Sequence, residues 1–300
     1  MSRRWLQQSE RGSPWALRLI RWIALRLGRA PARLLLHPIT LYFLITGRRG
    51  RRASRQFLSA ALGRRAGIVD VYRHLHTFAA TILDRVYFLT GQFQRFEISR
   101  SGWETVKALM ERRQGCILLG SHLGSFECLR AVGVNVDMSP IKVLMHHDHN
   151  QLITSLLEAL NPDVAATVIP LGKPDTLLRA KEWLDGGGIL GLLGDRVDTS
   201  DKQVRCRFLG HDTVFPAGPI LLAGALKVPV ILFFGIYRGG NRYHIHFEPF
   251  AERIELSRAE REQQVRQWTQ RYAQRLEYHA RQAPYNWFNF YEYWDDDTAC

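Results

Sequence analysis

Beyond Asp70 the chain alternates short, wholly apolar runs with longer amphipathic stretches, and few folds accommodate that alternation. Residues 116–119 (CILL), 142–145 (KVLM), 166–169 (ATVI), 189–193 (ILGLL), 228–234 (VPVILFF) and 243–247 (YHIHF) read as strands. Most lack the in/out alternation of a half-exposed sheet, so both faces must be covered. Between them, 151–160, 175–185 and 219–226 read as helices, and 257–283 as a long charged amphipathic helix. The expected fold class is α/β: a central, mostly buried sheet flanked by helices. Sites in such sheets lie where strands end and helices begin, which singles out 120–127, 194–198 and 210–219.

The N-terminal fifth follows another rule. The 300 residues carry a net charge of +13, and between Glu10 and Asp70 there are thirteen arginines and no acidic residue. Such a bias implies a polyanionic partner: nucleic acid, an anionic membrane or an acidic carrier protein. Residues 15–27 (WALRLIRWIALRL) place Arg18, Arg21, Arg26 and Arg29 within an arc of roughly 140° on a helical wheel, the pattern of a helix lying in the lipid headgroup layer. A second apolar run, 34–46 (LLLHPITLYFLIT), is interrupted by His37 and Pro38, and falls short of the ~20 residues of a bilayer crossing, so a shallow or re-entrant insertion is expected. The cluster at 48–55 (RRGRRASR) then favours anionic lipid and the cytoplasmic face. No secretory signal is expected, because the apolar stretch carries charges and no small-residue cleavage site follows cleanly. A nucleic-acid partner would need exposed aromatics among the basic residues or a groove-reading helix, and neither occurs. The other reading of 15–27, a first helix of the globular fold with its arginines in water, leaves the second apolar run and the arginine block unexplained. The expected organisation is therefore a membrane-associating segment, 1–65, followed by an α/β domain, 66–300.

Cys116, Cys128, Cys206 and Cys300 show no CxxC spacing and no histidine pair at zinc-ligand distance. Neither disulfides nor a structural zinc are expected, and Cys116 reads as a buried, inert thiol. The cluster His146, His147 and His149 has no accompanying carboxylate pattern, so no metal and no cofactor are expected.

Directly after the strand at 116–119 comes Gly120-Ser121-His122-Leu123-Gly124-Ser125-Phe126-Glu127. Two helical residues five apart would point about 140° away from each other. With His122 in the turn and Glu127 entering the helix, the carboxylate can instead fold back onto the imidazole. Such a pair removes a proton from an alcohol or amine attacking an acyl carbonyl: the neutral ring accepts it, and the carboxylate fixes the tautomer and stabilises the imidazolium. Neither Ser121 nor Ser125 sits in a GxSxG elbow, which argues against a serine hydrolase. Spacing alone does not separate this catalytic pair from a buried structural hydrogen bond.

The segment GSHLGSFE resembles the His-x4-Asp/Glu motif of the lipid A biosynthesis acyltransferase family, a branch of the lysophospholipid acyltransferases. Later landmarks follow in that family's order: Gly194-Asp195-Arg196, Phe208-Leu209-Gly210 with Thr213 and Gly218-Pro219, and the aromatic run Asn286-Trp287-Phe288-Asn289-Phe290-Tyr291. The resemblance implies transfer of a fatty acyl group from an acyl-carrier-protein thioester to a hydroxyl of a lipid acceptor, at the cytoplasmic face of a bacterial inner membrane. It implies His122 as the general base, Glu127 as its partner, and Asn150, Asp195, Gly218 and Pro219 as pocket-shaping residues. The chain departs from the family's usual pattern at Ser125, Phe126, Arg196 and the segment His146–Asn150, positions expected to face the acceptor. There Ser125, His146 and Arg196 become further candidate substrate contacts. The aromatic tail is closer in form to acyltransferases associated with aryl-polyene lipids. Two other functions remain: a thioesterase or lipid hydrolase in which His122 activates water, and a non-catalytic membrane-binding protein of the same fold.

Overall fold

The computed structural model describes residues 22, 26, 28–129, 141–145, 161, 166–197 and 201–294. Three helices come first: α1 (Arg29–Thr46), α2 (Arg48–Leu62) and α3 (Ile68–Leu89). Then follow β1 (Glu97–Ser101), α4 (Trp103–Glu111), β2 (Cys116–Gly120), β3 (Ile141–Met145), β4 (Val168–Pro170), α5 (Thr176–Asp185) and β5 (Ile189–Leu193). The chain continues with β6 (Gln203–Phe208), β7 (His211–Pro216), α6 (Gly218–Leu226), β8 (Val230–Tyr237), β9 (Arg242–Ala251) and α7 (Arg261–Gln282).

Seven strands form one sheet in the order β1-β9-β8-β2-β5-β3-β4. Every pairing is parallel except β8 with β9. The apolar runs sit at its centre, as expected: β2 is buried at all five positions and β8 at all eight. Successive side chains leave opposite faces. Ile117 and Leu119 join a core built with Phe57, Ile220, Tyr272 and Leu276 from α2, α6 and α7. Cys116 and Leu118 join a second core with Leu36, Tyr87 and Val106 from α1, α3 and α4. Helices therefore cover both faces, and each fully buried Leu, Ile or Phe contributes about 1.5–3 kcal/mol. Cys116, Cys128 and Cys206 are free and buried, and burial pushes the Cys116 thiol up to about 12.

The hairpin β6–β7 was not among the expected strands. It turns on Leu209 and Gly210, both at positive φ (52° and 84°), the backbone of a tight two-residue turn. β1, polar and largely exposed, was not expected either.

The second apolar run lies in α1, a single helix that continues through His37 and Pro38. Pro38 is exposed, so the backbone hydrogen bond it cannot make is lost on the water side, where the groups it frees stay hydrated. The helix is two-faced: Ala32, Leu36, Thr40 and Leu44 are buried, whereas Leu34 (70% exposed), Leu41 (50%) and Ile45 (64%) face outward with Tyr42. No helix among the described residues is long and apolar enough to cross a membrane. The helix expected at 15–27 lies outside the described residues except for Trp22 and Arg26, both helical and exposed.

A buried ion pair ties α1 to the body. The Arg29 guanidinium donates to both oxygens of Asp84 (2.7 and 2.8 Å), and the Tyr243 hydroxyl on β9 donates to the same carboxylate at 2.9 Å. The Asp84 side chain is fully buried and Arg29 is 14% exposed. Removing the cation strands the anion, so Arg29→Ala is expected to lower unfolding stability by about 3–5 kcal/mol. Chemical denaturation compared with the wild type checks this, and a loss below about 1 kcal/mol would show that α1 is not anchored through this pair.

Candidate active site

Gly120 ends β2, and the chain turns at once through Ser121 into His122. Tyr272 on α7 fixes the strand end by donating to the Gly120 carbonyl at 2.7 Å. The loop that follows is clamped on two sides by backbone. Gly124 donates to the Asn286 carbonyl (2.8 Å), Ser125 to Gly235 on β8 (2.8 Å), and Phe288 to the His122 carbonyl (2.9 Å). Gly124 has φ +85°, and a Cβ there would lie 2.0 Å from the Gly235 carbonyl oxygen. Only glycine permits that approach. Asn286 completes the clamp by pairing its side-chain amide with the Tyr237 backbone, accepting from N–H at 2.8 Å and donating to C=O at 3.2 Å.

β5 lies beside β2 with Gly120 level with Leu193. Two residues further along each chain, His122 and Asp195 therefore stand side by side. Asp195 is 1% exposed, and its carboxylate accepts three hydrogen bonds. His122 Nδ1 donates to Oδ1 at 2.8 Å, the His122 backbone N–H to Oδ2 at 3.0 Å, and the Trp287 indole to Oδ2 at 2.9 Å. The Tyr293 hydroxyl donates to the Asp195 carbonyl at 3.1 Å. Burial alone would raise the Asp195 carboxyl, but His122, its hydrogen bonds and the nearby Arg196 outweigh that and hold it at about 2. Burial, reinforced by Arg196 and Arg85, lowers His122 against the pull of Asp195. Near pH 7 the ring is thus neutral, with its hydrogen on Nδ1 facing the carboxylate. Nε2 has no hydrogen-bond partner among the described residues, and 30% of the side chain remains exposed.

The expectation that Glu127 orients His122 is corrected here. The Nδ1 position belongs to Asp195, and the Glu127 oxygens are engaged elsewhere: Oε1 lies 2.8 Å from Arg85 Nε on α3, and Oε2 accepts from Ser125 Oγ at 3.1 Å. Described helix resumes only at Cys128, so Glu127 sits before it and points toward α3.

The other expected residues divide. Ser125 is buried and spends its hydroxyl on Glu127. Arg196 stands next to the site, its guanidinium donating to the Phe288 carbonyl at 2.9 Å. Gly218 and Pro219 begin α6, and no hydrogen bond among the described residues joins them to His122. His146 and Asn150 lie outside the described residues, as do His147 and His149. Among the described residues no three His, Cys, Asp or Glu side chains gather to hold a metal.

Trp287 and Arg85 were not picked out individually. Trp287 is 1% exposed and packs on Phe57, Phe208 and Tyr293 at centroid distances of 4.8–5.1 Å. Its backbone carbonyl also meets buried His74 Nε2 at 2.8 Å, while His74 Nδ1 meets Ser54 Oγ at 2.8 Å. Burial lowers His74 to about 4, so it serves as a neutral link between α2, α3 and the aromatic tail.

The family model of bacterial lipid A biosynthesis acyltransferases matches residues 4–295, nearly the whole chain. No curated protein matches it.

Because Asp195 raises His122 against burial, replacing it by Asn lowers the ring further. NMR titration is expected to place wild-type His122 below the ordinary histidine range and Asp195→Asn lower still. A rise in the variant would overturn the assignment of Asp195 as the imidazole's partner.

Proposed function

The chain belongs to the bacterial lipid A biosynthesis acyltransferase family, and from that premise we propose that it moves a fatty acyl group from an acyl-carrier-protein thioester to a hydroxyl of a membrane lipid or glycolipid. The observation that carries the mechanism is the buried Asp195 carboxylate on His122 Nδ1, which leaves Nε2 as a bare acceptor. The acceptor hydroxyl attacks the thioester carbon while Nε2 takes its proton. The tetrahedral intermediate then collapses with loss of thiolate, and the imidazolium returns the proton to the sulfur. Asp195 keeps the tautomer and stabilises the transient cation.

Arg85 and Arg196 are the two cations whose charge His122 feels. Arg85 Nε lies within ion-pair distance of Glu127 yet makes no aligned hydrogen bond, so this buried donor is open to a ligand oxygen. In this reading Glu127 matters through Arg85: it holds a guanidinium beside the base, where charge develops on the thioester oxygen or is carried by the acceptor.

The outward face of α1 supports the membrane part of the proposal. Leu34, Leu35, Leu41, Tyr42 and Ile45 fall within roughly 120° of a helical wheel. Arg48, Arg49, Arg52 and Arg55 follow immediately. An apolar stripe next to clustered arginines fits the surface of a bilayer with anionic headgroups. We place the protein on the cytoplasmic face of a bacterial inner membrane, where carrier thioesters are made and lipid acceptors present their hydroxyls.

The test is a membrane assay with radiolabelled acyl carrier protein thioester, extracting lipids and free fatty acid separately. His122→Ala is expected to abolish label in lipid, and Asp195→Asn to lower kcat by about 10²–10⁴-fold. The active base is neutral, so activity falls as pH drops through the His122 pKa. That acid limb is expected to lie below the ordinary histidine range and to move to lower pH in Asp195→Asn. Full transfer by His122→Ala would sink the mechanism, and label found only as free fatty acid would mark a thioesterase.

A further inference from the structure

Away from His122, the start of β6, Leu221 of α6 and the first turns of α7 line a groove of about 710 Å³. Lys202, Arg205, Arg261 and Arg266 line it with a single carboxylate, Glu262, over a floor that includes buried Val204 and Val265. Arg266 reaches Glu262 only at 4.0 Å, with both side chains mostly in water. Lys202, Arg205 and Arg261 have no carboxylate partner among the described residues. Further along the same helix the arginines behave differently: Arg275 pairs with Glu248 at 2.6 Å and Arg281 with Glu277 at 3.1 Å. Arg261 is also the first residue of α7, where the helix dipole disfavours a cation. Like charges are thus gathered at an unfavourable place with little internal compensation, which a docked anionic surface would supply.

The groove is also well placed. Arg205 is three residues along β6 from Phe208, roughly 10 Å. Phe208 packs on Trp287 at 5.1 Å, and the Trp287 indole holds Asp195. From the other side, Arg266 is six residues along α7 from Tyr272, roughly 9 Å, and Tyr272 fixes the strand end that bears His122. A partner seated in the groove could lay a flexible, thioester-bearing arm along the hairpin into the site while its own body stayed outside.

We propose that this groove docks the acidic protein that carries the acyl donor, with Lys202, Arg205, Arg261 and Arg266 meeting its carboxylates. The proposal rests on the carrier-thioester reading above, but it concerns where the carrier binds rather than what the enzyme does with it.

The experiment is fluorescence anisotropy of a labelled, acylated acyl carrier protein titrated with full-length enzyme at low salt. Wild type is compared with the triple variant Lys202→Glu/Arg205→Glu/Arg266→Glu, with the milder Lys202→Gln/Arg205→Gln/Arg266→Gln, and with Arg112→Glu, an exposed charge outside the groove. Circular dichroism confirms that each is folded, and binding to vesicles of phosphatidylglycerol is measured in parallel. The expected result is a Kd raised at least about tenfold by the glutamate triple and by a smaller factor by the glutamine triple, unchanged by Arg112→Glu, with wild-type binding weakening as salt rises. A Kd equal to wild type in the glutamate triple, or no carrier binding by wild type, overturns the proposal. So does loss of vesicle binding with carrier binding intact, which would give the groove to the membrane. Groove-dependent carrier binding by an enzyme that transfers no acyl group would sustain the docking site while refuting the reaction proposed above.

Discussion

Three donors converge on the Asp195 carboxylate, and the rest of the site is arranged around them. Two come from His122 itself, ring and backbone, and the third from Trp287. A carboxylate buried to 1% exposure is tolerated only when its lone pairs are occupied, and here they are filled by the residues that must be positioned. The His122 backbone is fixed by the same anion that orients its ring, so the imidazole has little freedom to rotate out of place. The third donor is an indole from the aromatic tail, so the carboxylate is fully hydrogen-bonded only with that tail packed against it. The tail is in turn held by the Asn286 pairing with Tyr237 and by His74. Sheet, loop and tail close on one another through a single charge.

How much of this the sequence reveals depends on whether a feature is local. The apolar runs that became β2, β5 and β8 are readable because complete burial demands unbroken hydrophobicity. His122 is readable because it follows such a run and lies in a motif with a known resemblance. Its partner is not, since Asp195 meets His122 through β5 lying next to β2, and strand order is not written in any stretch of chain. Glu127, five residues from His122, was the nearest carboxylate in sequence, whereas Asp195, seventy-three residues away, is the one in contact. The landmark at Gly194 precedes Asp195 without specifying that Asp195 touches His122.

Two other misreadings have physical explanations. In β6 the alternation of Gln203, Arg205 and Arg207 with Val204, Cys206 and Phe208 is a period-two signal, weaker than the wholly apolar runs because every second residue is polar. β1 gave no such signal: Glu97 and Arg100 leave it polar, and it is stabilised as an edge strand by β9 instead of by its own apolar content. At Pro38 a residue that ends helices in isolation is carried by packing on both sides of it. Leu36, Thr40 and Leu44 bury one face of α1, so the helix keeps its axis despite a missing bond on the other.

Burial and charge act together on the His122 ring, and burial is the larger influence. Asp195 raises the ring and thus its basicity, while Arg196 and Arg85 oppose it, as does burial. Without the two guanidiniums the ring would rise, yet burial would still hold it down, so its neutrality near pH 7 rests first on the loss of solvent. Were the two guanidiniums unopposed by Asp195, their repulsion would make an imidazolium there more costly still. Glu127 pairs with one of those guanidiniums, Arg85, instead of with the ring. Asp195 and Glu127 thus divide between the ring and Arg85, and the neutral imidazole is the favoured state. One carboxylate therefore fixes the ring directly, while the other fixes a neighbouring cation.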